Sequence, residues 1–377
     1  MINSLWYSER GVAAPKTWQD VDDSLPAELA YKLASEGVGL MWRGDFNNAR
    51  QLLAALGRRV DKAEKQWLKK HPLNALTMPE RFNRHRQNQA QRANLLNRLV
   101  VELQPDWQIP LRRAPDWSLA LASVLPLCDQ TRVISLRELL GIQGAYEWAK
   151  NGVEVPALGQ KRRIYPAYGV YSPVRSEYLD LLAQAPLPAL PDSSTGLTAF
   201  DIGTGTGVIA ALLALRGVQH VVATDTEPRA LVCAAGNLQQ LGIAGQVQLQ
   251  EHNLFPPDNT QADLLVCNPP WLPAKPASRL ESAMYDPGSQ MLLGFLKGAK
   301  AHLKPGGQVW LVLSDLAQHL GLRPAGFLEQ AFEQAGLKVQ SRASTRPAHR
   351  KTSDKHDILH EARCQEVTTL WVLQAAV

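Results

Sequence analysis

The chain of 377 residues lacks most of the features that place a protein in a class at first sight. Its four cysteines, Cys128, Cys233, Cys267 and Cys364, form no Cys-x-x-Cys pair, which argues against a zinc ribbon or a disulfide framework and suits a reducing, cytoplasmic setting. No apolar run approaches the roughly 18 to 20 residues of a spanning helix, the longest being the short stretch around Val208 to Leu215. The opening MINSLWYSER has no basic segment followed by an apolar one, so neither export nor membrane contact is expected. Charge is sparse, with 20% charged against 45% hydrophobic residues, a balance that excludes a disordered, collagen-like or coiled-coil chain. There is no internal repeat, and the length predicts two cores.

What charge there is lies unevenly. The formal net charge is +5, yet residues 41–100 hold thirteen Lys or Arg against four Asp or Glu, a local +9. Such a segment is the footprint of a nucleic-acid partner, or else a solvated helix face. Residues 1–160 read as a helical, basic, substrate-recruiting domain. Asp45 is an N-cap candidate ahead of Arg50, Leu52, Leu53 and Leu56 at helical spacing, in a helix that Gly57 can stop or loosen. Thr77 and Glu80 form a capping box around Pro79. It predicts a long helix with Leu95, Leu96, Leu99 and Leu103 on one side and Arg81, Arg84, Arg92 and Arg98 on the other, closed by Pro105. Seven of the ten tryptophans fall here (Trp6, Trp18, Trp42, Trp67, Trp107, Trp117 and Trp148) and are read first as core fillers.

After a Pro-rich stretch at Pro186–Pro191 the texture changes. Short apolar runs at 197–202, 220–224, 247–250, 264–267 and 309–313 alternate with helical stretches at 208–216, 228–241 and 291–302. Two further runs, 337–343 and 366–373, can pair as last strands. This alternation predicts an α/β domain over residues 161–377: a Rossmann-like parallel sheet with helices on both faces.

Three motifs sit at strand ends. In Phe200–Ala210, FDIGTGTGVIA, a strand ends at Asp201, Gly203, Gly205 and Gly207 turn the chain, and a helix begins at once. Glycines suit a backbone that must approach a ligand closely, and the spacing differs from the G-x-G-x-x-G dinucleotide fingerprint. Asp225 ends the next strand, where a carboxylate can accept both hydroxyls of a ribose. Asn268, Pro269, Pro270 and Trp271 follow the strand 264–267. The prolines fix the backbone, so that the Asn268 side-chain carbonyl and the Pro269 carbonyl can face a substrate NH₂ group while Trp271 stacks on the plane carrying it.

Together these residues resemble a class I S-adenosylmethionine-dependent methyltransferase of the (D/N)PP(Y/F/W) type, which includes the HemK-like glutamine N5 methyltransferases and the base N-methyltransferases of the methyltransferase small domain. The resemblance covers about Ile164 to the C-terminus. It implies a seven-stranded sheet and S-adenosylmethionine as cofactor. Asp201, Gly203, Thr204, Gly205 and Gly207 would cradle the methionine part, Asp225 would hold the ribose, and Asn253 would stand where the family has an adenine-binding Asp. The segment Tyr168–Leu182, with Tyr171, Pro173 and Arg175, resembles the family's cofactor-covering segment. Leu303–Gly307, LKPGG, matches its turn before the fifth strand. Tyr285, Asp286 and Pro287 resemble a stretch of the glutamine branch, whose helical N-terminal domain also fits residues 1–160.

The implied activity is methylation of a planar nitrogen, first a glutamine amide of a translation-related protein, with an exocyclic amine of an rRNA base as the alternative and a nucleic-acid-binding module with a decayed cofactor site as the non-enzymatic reading. The implied partner is a ribosome-associated protein or rRNA, with possible nucleic-acid contact through residues 41–100. No strong general base is needed, because the nitrogen becomes acidic once methylated, and no catalytic dyad stands nearby. His356, His360 and Cys364 fall at i, i+4 and i+8, a span too long for one metal ion, so no metal is expected. Cys267 reads as strand packing rather than a nucleophile.

Overall fold

The computed structural model describes residues 6–9, 11–127, 129–172, 176–189, 196–257, 260–276, 279–347 and 354–376. Pro173, Arg175 and Cys128 lie outside them, as do residues 348–353. Two compact units divide the chain, Met1–Glu147 and Trp148–Val377.

The first unit has helices α1 (Ala27–Ser35), α2 (Phe46–Lys70), α3 (Met78–Leu96), α4 (Ser118–Ala122) and most of α5 (Leu136–Asn151). Its core also contains a four-stranded sheet that the helical reading missed: β1 (Thr17–Val21), β2 (Val38–Trp42), β3 (Leu99–Leu103) and β4 (Arg132–Ser135), in that order. The first three strands run parallel and β4 antiparallel. Asn97 caps α3, so Leu99 and Leu103, both buried, belong to β3 rather than to a helix running to Pro105. A short apolar run covered on both faces lacks the alternation that marks a strand. Asp45 is the N-cap of α2 as expected, its carboxylate accepting from the backbone N–H of Asn47 at 2.9 Å and from Arg113 at 2.5 Å. Hydrogen bonding to Arg113 is the largest cause holding its pKa down to about 2. Gly57 does not stop α2. It lies in mid-helix, where the Arg92 guanidinium donates to its carbonyl at 2.9 Å and fills the place of a Cβ.

The second unit opens with a hairpin, β5 (Val153–Glu154) and β6 (Arg163–Ile164). Residues 148–160 pack with this unit because Val155 and Leu158 are buried in its core beside Ile164. Its main sheet has seven strands: β7 (Thr198–Ile202), β8 (His220–Asp225), β9 (Val247–Glu251), β10 (Ala262–Cys267), β11 (Leu303–Ser314), β12 (Leu337–Thr345) and β13 (Thr368–Ala375). Their order is β12-β13-β11-β10-β7-β8-β9. Strands β7 to β11 are parallel, and β13 runs antiparallel to β11 and β12. One face carries a core with α6 (Glu177–Gln184), α7 (Val208–Leu215) and α8 (Pro228–Gln240). The other carries α9 (Gln290–Ala299) and α11 (Phe327–Gln334), with the short α10 (Leu316–His319) between them in sequence. Helix α12 covers only His360–Arg363, so His356, His360 and Cys364 do not share one helix face. Among the described residues no helix is long and apolar enough to cross a membrane.

Candidate active site

The strand order turns back on itself between β7 and β10, and open parallel sheets bind ligands at the carboxyl ends of strands flanking such a point. Register places the motifs there. Ile202 lies opposite Cys267 on one side and Thr224 on the other, so Gly203, Asp225 and Asn268 each stand one residue past a common row at the sheet's carboxyl edge.

The loop Gly203–Gly207 is held from below by main-chain bonds, with the N–H groups of Gly203 and Thr204 both donating to the Thr224 carbonyl at 2.9 Å. Gly205 and Gly207 have φ of +56° and +78°, the left-handed region that costs a side chain roughly 1–2 kcal/mol. A Cβ on Gly207 would stand 3.0 Å from the Ala234 Cβ of α8, while one on Gly205 would meet nothing within 4 Å. The turn is thus packed against the fold at Gly207 and open at Gly205, as a ligand cradle requires. Asp225 secures its rim: one carboxylate oxygen accepts the Gly205 N–H at 2.9 Å and the other the Glu227 N–H at 3.0 Å.

Asp201 lies under the loop, fully buried. Its Oδ2 accepts from the Thr204 hydroxyl at 2.6 Å and the Ala210 N–H at 3.0 Å, while Oδ1 is buried with no hydrogen-bond partner. Burial above all, helped by the nearby Asp225 charge, pushes its pKa up to about 7. A buried acceptor left unmatched costs about 1–3 kcal/mol, and an orphan of this kind inside a glycine cradle fits a donor-bearing ligand, above all a cationic one.

On the β10 side the Asn268 Oδ1 accepts the Trp271 indole N–H at 2.9 Å, and the Asn268 side chain also hydrogen-bonds the buried Tyr178 hydroxyl of α6. Burial raises the Tyr178 pKa, with Tyr171 and Asp201 adding to it, so its phenol stays protonated. Pro269 is buried, and Trp271 is half-buried against both core faces. The amide expected to face substrate is therefore oriented from two sides by aromatic residues, the Trp271 indole on its carbonyl and the Tyr178 hydroxyl beside it. Cys267 is fully buried and burial lifts its thiol well above the ordinary range, which denies it a nucleophile's role.

Tyr171 is exposed and close enough to Tyr178 to affect it. Asn253 is exposed in the loop after β9, next to His252, whose N–H donates to the Asp225 carbonyl. The sequence pointed to Asp286 only within the stretch Tyr285–Pro287 and to Tyr178, Met291 and Asn237 not at all as site residues. Buried Asp286 accepts the N–H groups of Met291 and Leu292 and so starts α9, placing the Met291 methyl 2.7 Å from where a Gly203 Cβ would stand. Asn237 ties α8 to the loop, donating to the Thr206 carbonyl at 2.9 Å and accepting the Tyr165 N–H at 2.8 Å. Tyr178 lies within Tyr168–Leu182 without any mark of its own in the sequence.

Residues 161–343 match the family described as the methyltransferase small domain. The chain is 36% identical over 146 residues to a release factor glutamine methyltransferase of Cereibacter sphaeroides, covering 36% of this chain and 51% of that protein. It is 35% identical over 147 residues to a ribosomal protein L11 methyltransferase of Pelotomaculum thermopropionicum, covering 39% and 40%. A tRNA1(Val) (adenine(37)-N6)-methyltransferase of Parabacteroides distasonis is 30% identical over 139 residues, covering 33% and 58%. The chain spans about half the length of these relatives.

Proposed function

We propose that the methyltransferase small domain matched by residues 161–343 works as an S-adenosylmethionine-dependent N-methyltransferase on a planar nitrogen, first of all a glutamine amide of a translation-related protein in the cytoplasm. The observation that carries this reading is the juxtaposition of an open glycine cradle, the orphaned Asp201 Oδ1 and the Asn268–Pro269–Pro270–Trp271 turn at one switch point of the sheet. S-adenosylmethionine, when bound, supplies a methyl group made electrophilic by its sulfonium. Gly203, Thr204, Gly205 and Gly207 give it a backbone surface, Asp201 offers a free acceptor to its ammonium, and Asp225 suits its ribose. Tyr171, near Tyr178, and Asn253, in the loop after β9, would complete the cofactor's surroundings.

The rest of the work falls to residues of the chain. Asn268 and the Pro269 carbonyl accept the acceptor's N–H bonds and turn its lone pair away from conjugation. Tyr178 and the prolines keep that amide from rotating, which lowers the cost of orienting two reactants. The proton on the product nitrogen is acidic enough to leave to water, so none of the buried groups must act as base.

A glutamine acceptor is supported by the release-factor relatives. The similarity to a tRNA adenine methyltransferase keeps a base amine as the second reading. Incubating the protein with methyl-labelled cofactor, a glutamine-bearing release-factor fragment and rRNA, followed by mass spectrometry of both, separates them. Label on a glutamine side chain supports the first, label on a base the second, and label on neither removes the proposal.

A further inference from the structure

The charge of residues 41–100 takes a definite form once α2 and α3 are folded. The acids of α2 do not face solvent unopposed: Glu64 is ion-paired with Arg84 of α3 and Asp61 with Arg92. Arg84 also lies over the Trp67 ring at 4.0 Å, and Arg81 donates to the carbonyls of Leu73 and Leu76. The arginines of α3 that looked like the basic surface are thus spent inside the unit. What they leave exposed is on α2. Leu52, Leu53, Leu56 and Val60 bury one side of that helix. On the opposite side Arg58, Lys62, Lys65 and Lys69 recur at i, i+4, i+7 and i+11, a spacing that aligns them along one face over about 16 Å. Arg58, Lys62, Lys65 and Lys69 are exposed, and none has a hydrogen-bonding or ion-pairing partner among the described residues.

We infer that this outer face of α2 is a docking surface for the phosphate backbone of nucleic acid. Four cations in line, about one helical turn apart, match a linear polyanion, whereas mutual repulsion along three turns costs the helix some stability unless an anion offsets it. Binding would be sequence-independent and salt-sensitive, because it releases condensed counterions. A membrane surface fits less well: the apolar side of α2 is already packed in the unit's core, so nothing remains to insert among lipid chains. The inference does not rest on the proposed chemistry.

The test is fluorescence anisotropy of the full chain with a labelled 20-base-pair RNA duplex between 50 and 200 mM KCl. With four phosphate contacts, log affinity should fall against log salt with a slope near −3.6, roughly two orders of magnitude over this range. The variant R58Q/K62Q/K65Q/K69Q should lose most of the affinity and flatten the slope, while K297Q/K300Q/K338Q, which neutralises exposed lysines elsewhere, should do neither. Circular dichroism checks folding, and K62Q/K69Q, losing about half the slope, serves if the fourfold variant unfolds. No binding by the wild type, an unchanged slope in the α2 variants, an equal loss in the control, or equally tight capture of anionic lipid vesicles or polyglutamate would each overturn the inference. Methyl transfer to a short acceptor peptide reports separately on the catalytic domain.

Discussion

Asp201 makes the cofactor site sensitive to pH in a direction that can be worked out. Its pKa in the free protein is about 7, raised mainly by burial, against 3.8 for an ordinary aspartate. The folded chain therefore binds this proton more tightly than the unfolded chain, and the stability it confers is present below about pH 4 and lost as pH rises through 7. The loss totals roughly 4 kcal/mol, three units at 1.36 kcal/mol each. A cationic ligand against the free Oδ1 reverses the preference, since it favours the carboxylate. At pH 6.5 a group with a pKa near 7 is protonated in roughly three quarters of molecules, so binding should release about 0.75 proton. Between pH 7.5 and 6.0 affinity should fall roughly eightfold, about 1.2 kcal/mol. Isothermal calorimetry with S-adenosylhomocysteine in buffers of different ionisation enthalpy measures both quantities. Asp201→Asn keeps the shape, still accepts from Thr204 and Ala210, and should bind more weakly at pH 7.5 with the pH dependence gone. Equal affinity at the two pH values, or no proton release from the wild type, would refute the reasoning.

Two other perturbations isolate parts of the site. Trp271→Phe keeps an aromatic face but frees the Asn268 Oδ1 of the indole N–H, so turnover should survive with little change in KM, while Trp271→Ala should raise KM by roughly 5- to 150-fold, the 1–3 kcal/mol of a lost stacking plane if the acceptor is a base; steady-state kinetics separate them, and equal damage by both would contradict the assignment. Gly207→Ala and Gly205→Ala should split stability from binding. The first meets Ala234 at 3.0 Å and should lower the melting temperature the more, whereas the second, open on its outer side, should weaken cofactor binding the more in calorimetry.

Much of the second unit was legible because its physics is local. A strand, a glycine turn and a helix in immediate succession leave few alternatives, and the strands expected at 197–202, 220–224, 247–250 and 264–267 form at Thr198–Ile202, His220–Asp225, Val247–Glu251 and Ala262–Cys267. The expected seven-stranded sheet is present. Contacts that join distant residues were not legible. Tyr178 reaches Asn268 across ninety positions of sequence, and no local pattern announces it. In the first unit Leu99 and Leu103 followed a capped helix and carried helical spacing, yet Asn97 ends α3 and the run pairs as β3 between two strands. Tertiary pairing there outweighed periodicity. Arg84 and Arg92 were legible as charges but not as partners, because Glu64 and Asp61 sit on another helix.

The role proposed for Asn268 is to hold the nitrogen that receives the methyl group. Its most direct test is single-turnover methyl transfer to the acceptor found by mass spectrometry, comparing wild type with Asn268→Ala at saturating cofactor and substrate. Cofactor affinity should stay within about twofold of wild type and the rate should fall by two orders of magnitude or more, since the lost contacts act where charge develops. An Asn268→Ala protein that transfers methyl groups at the wild-type rate would contradict that role.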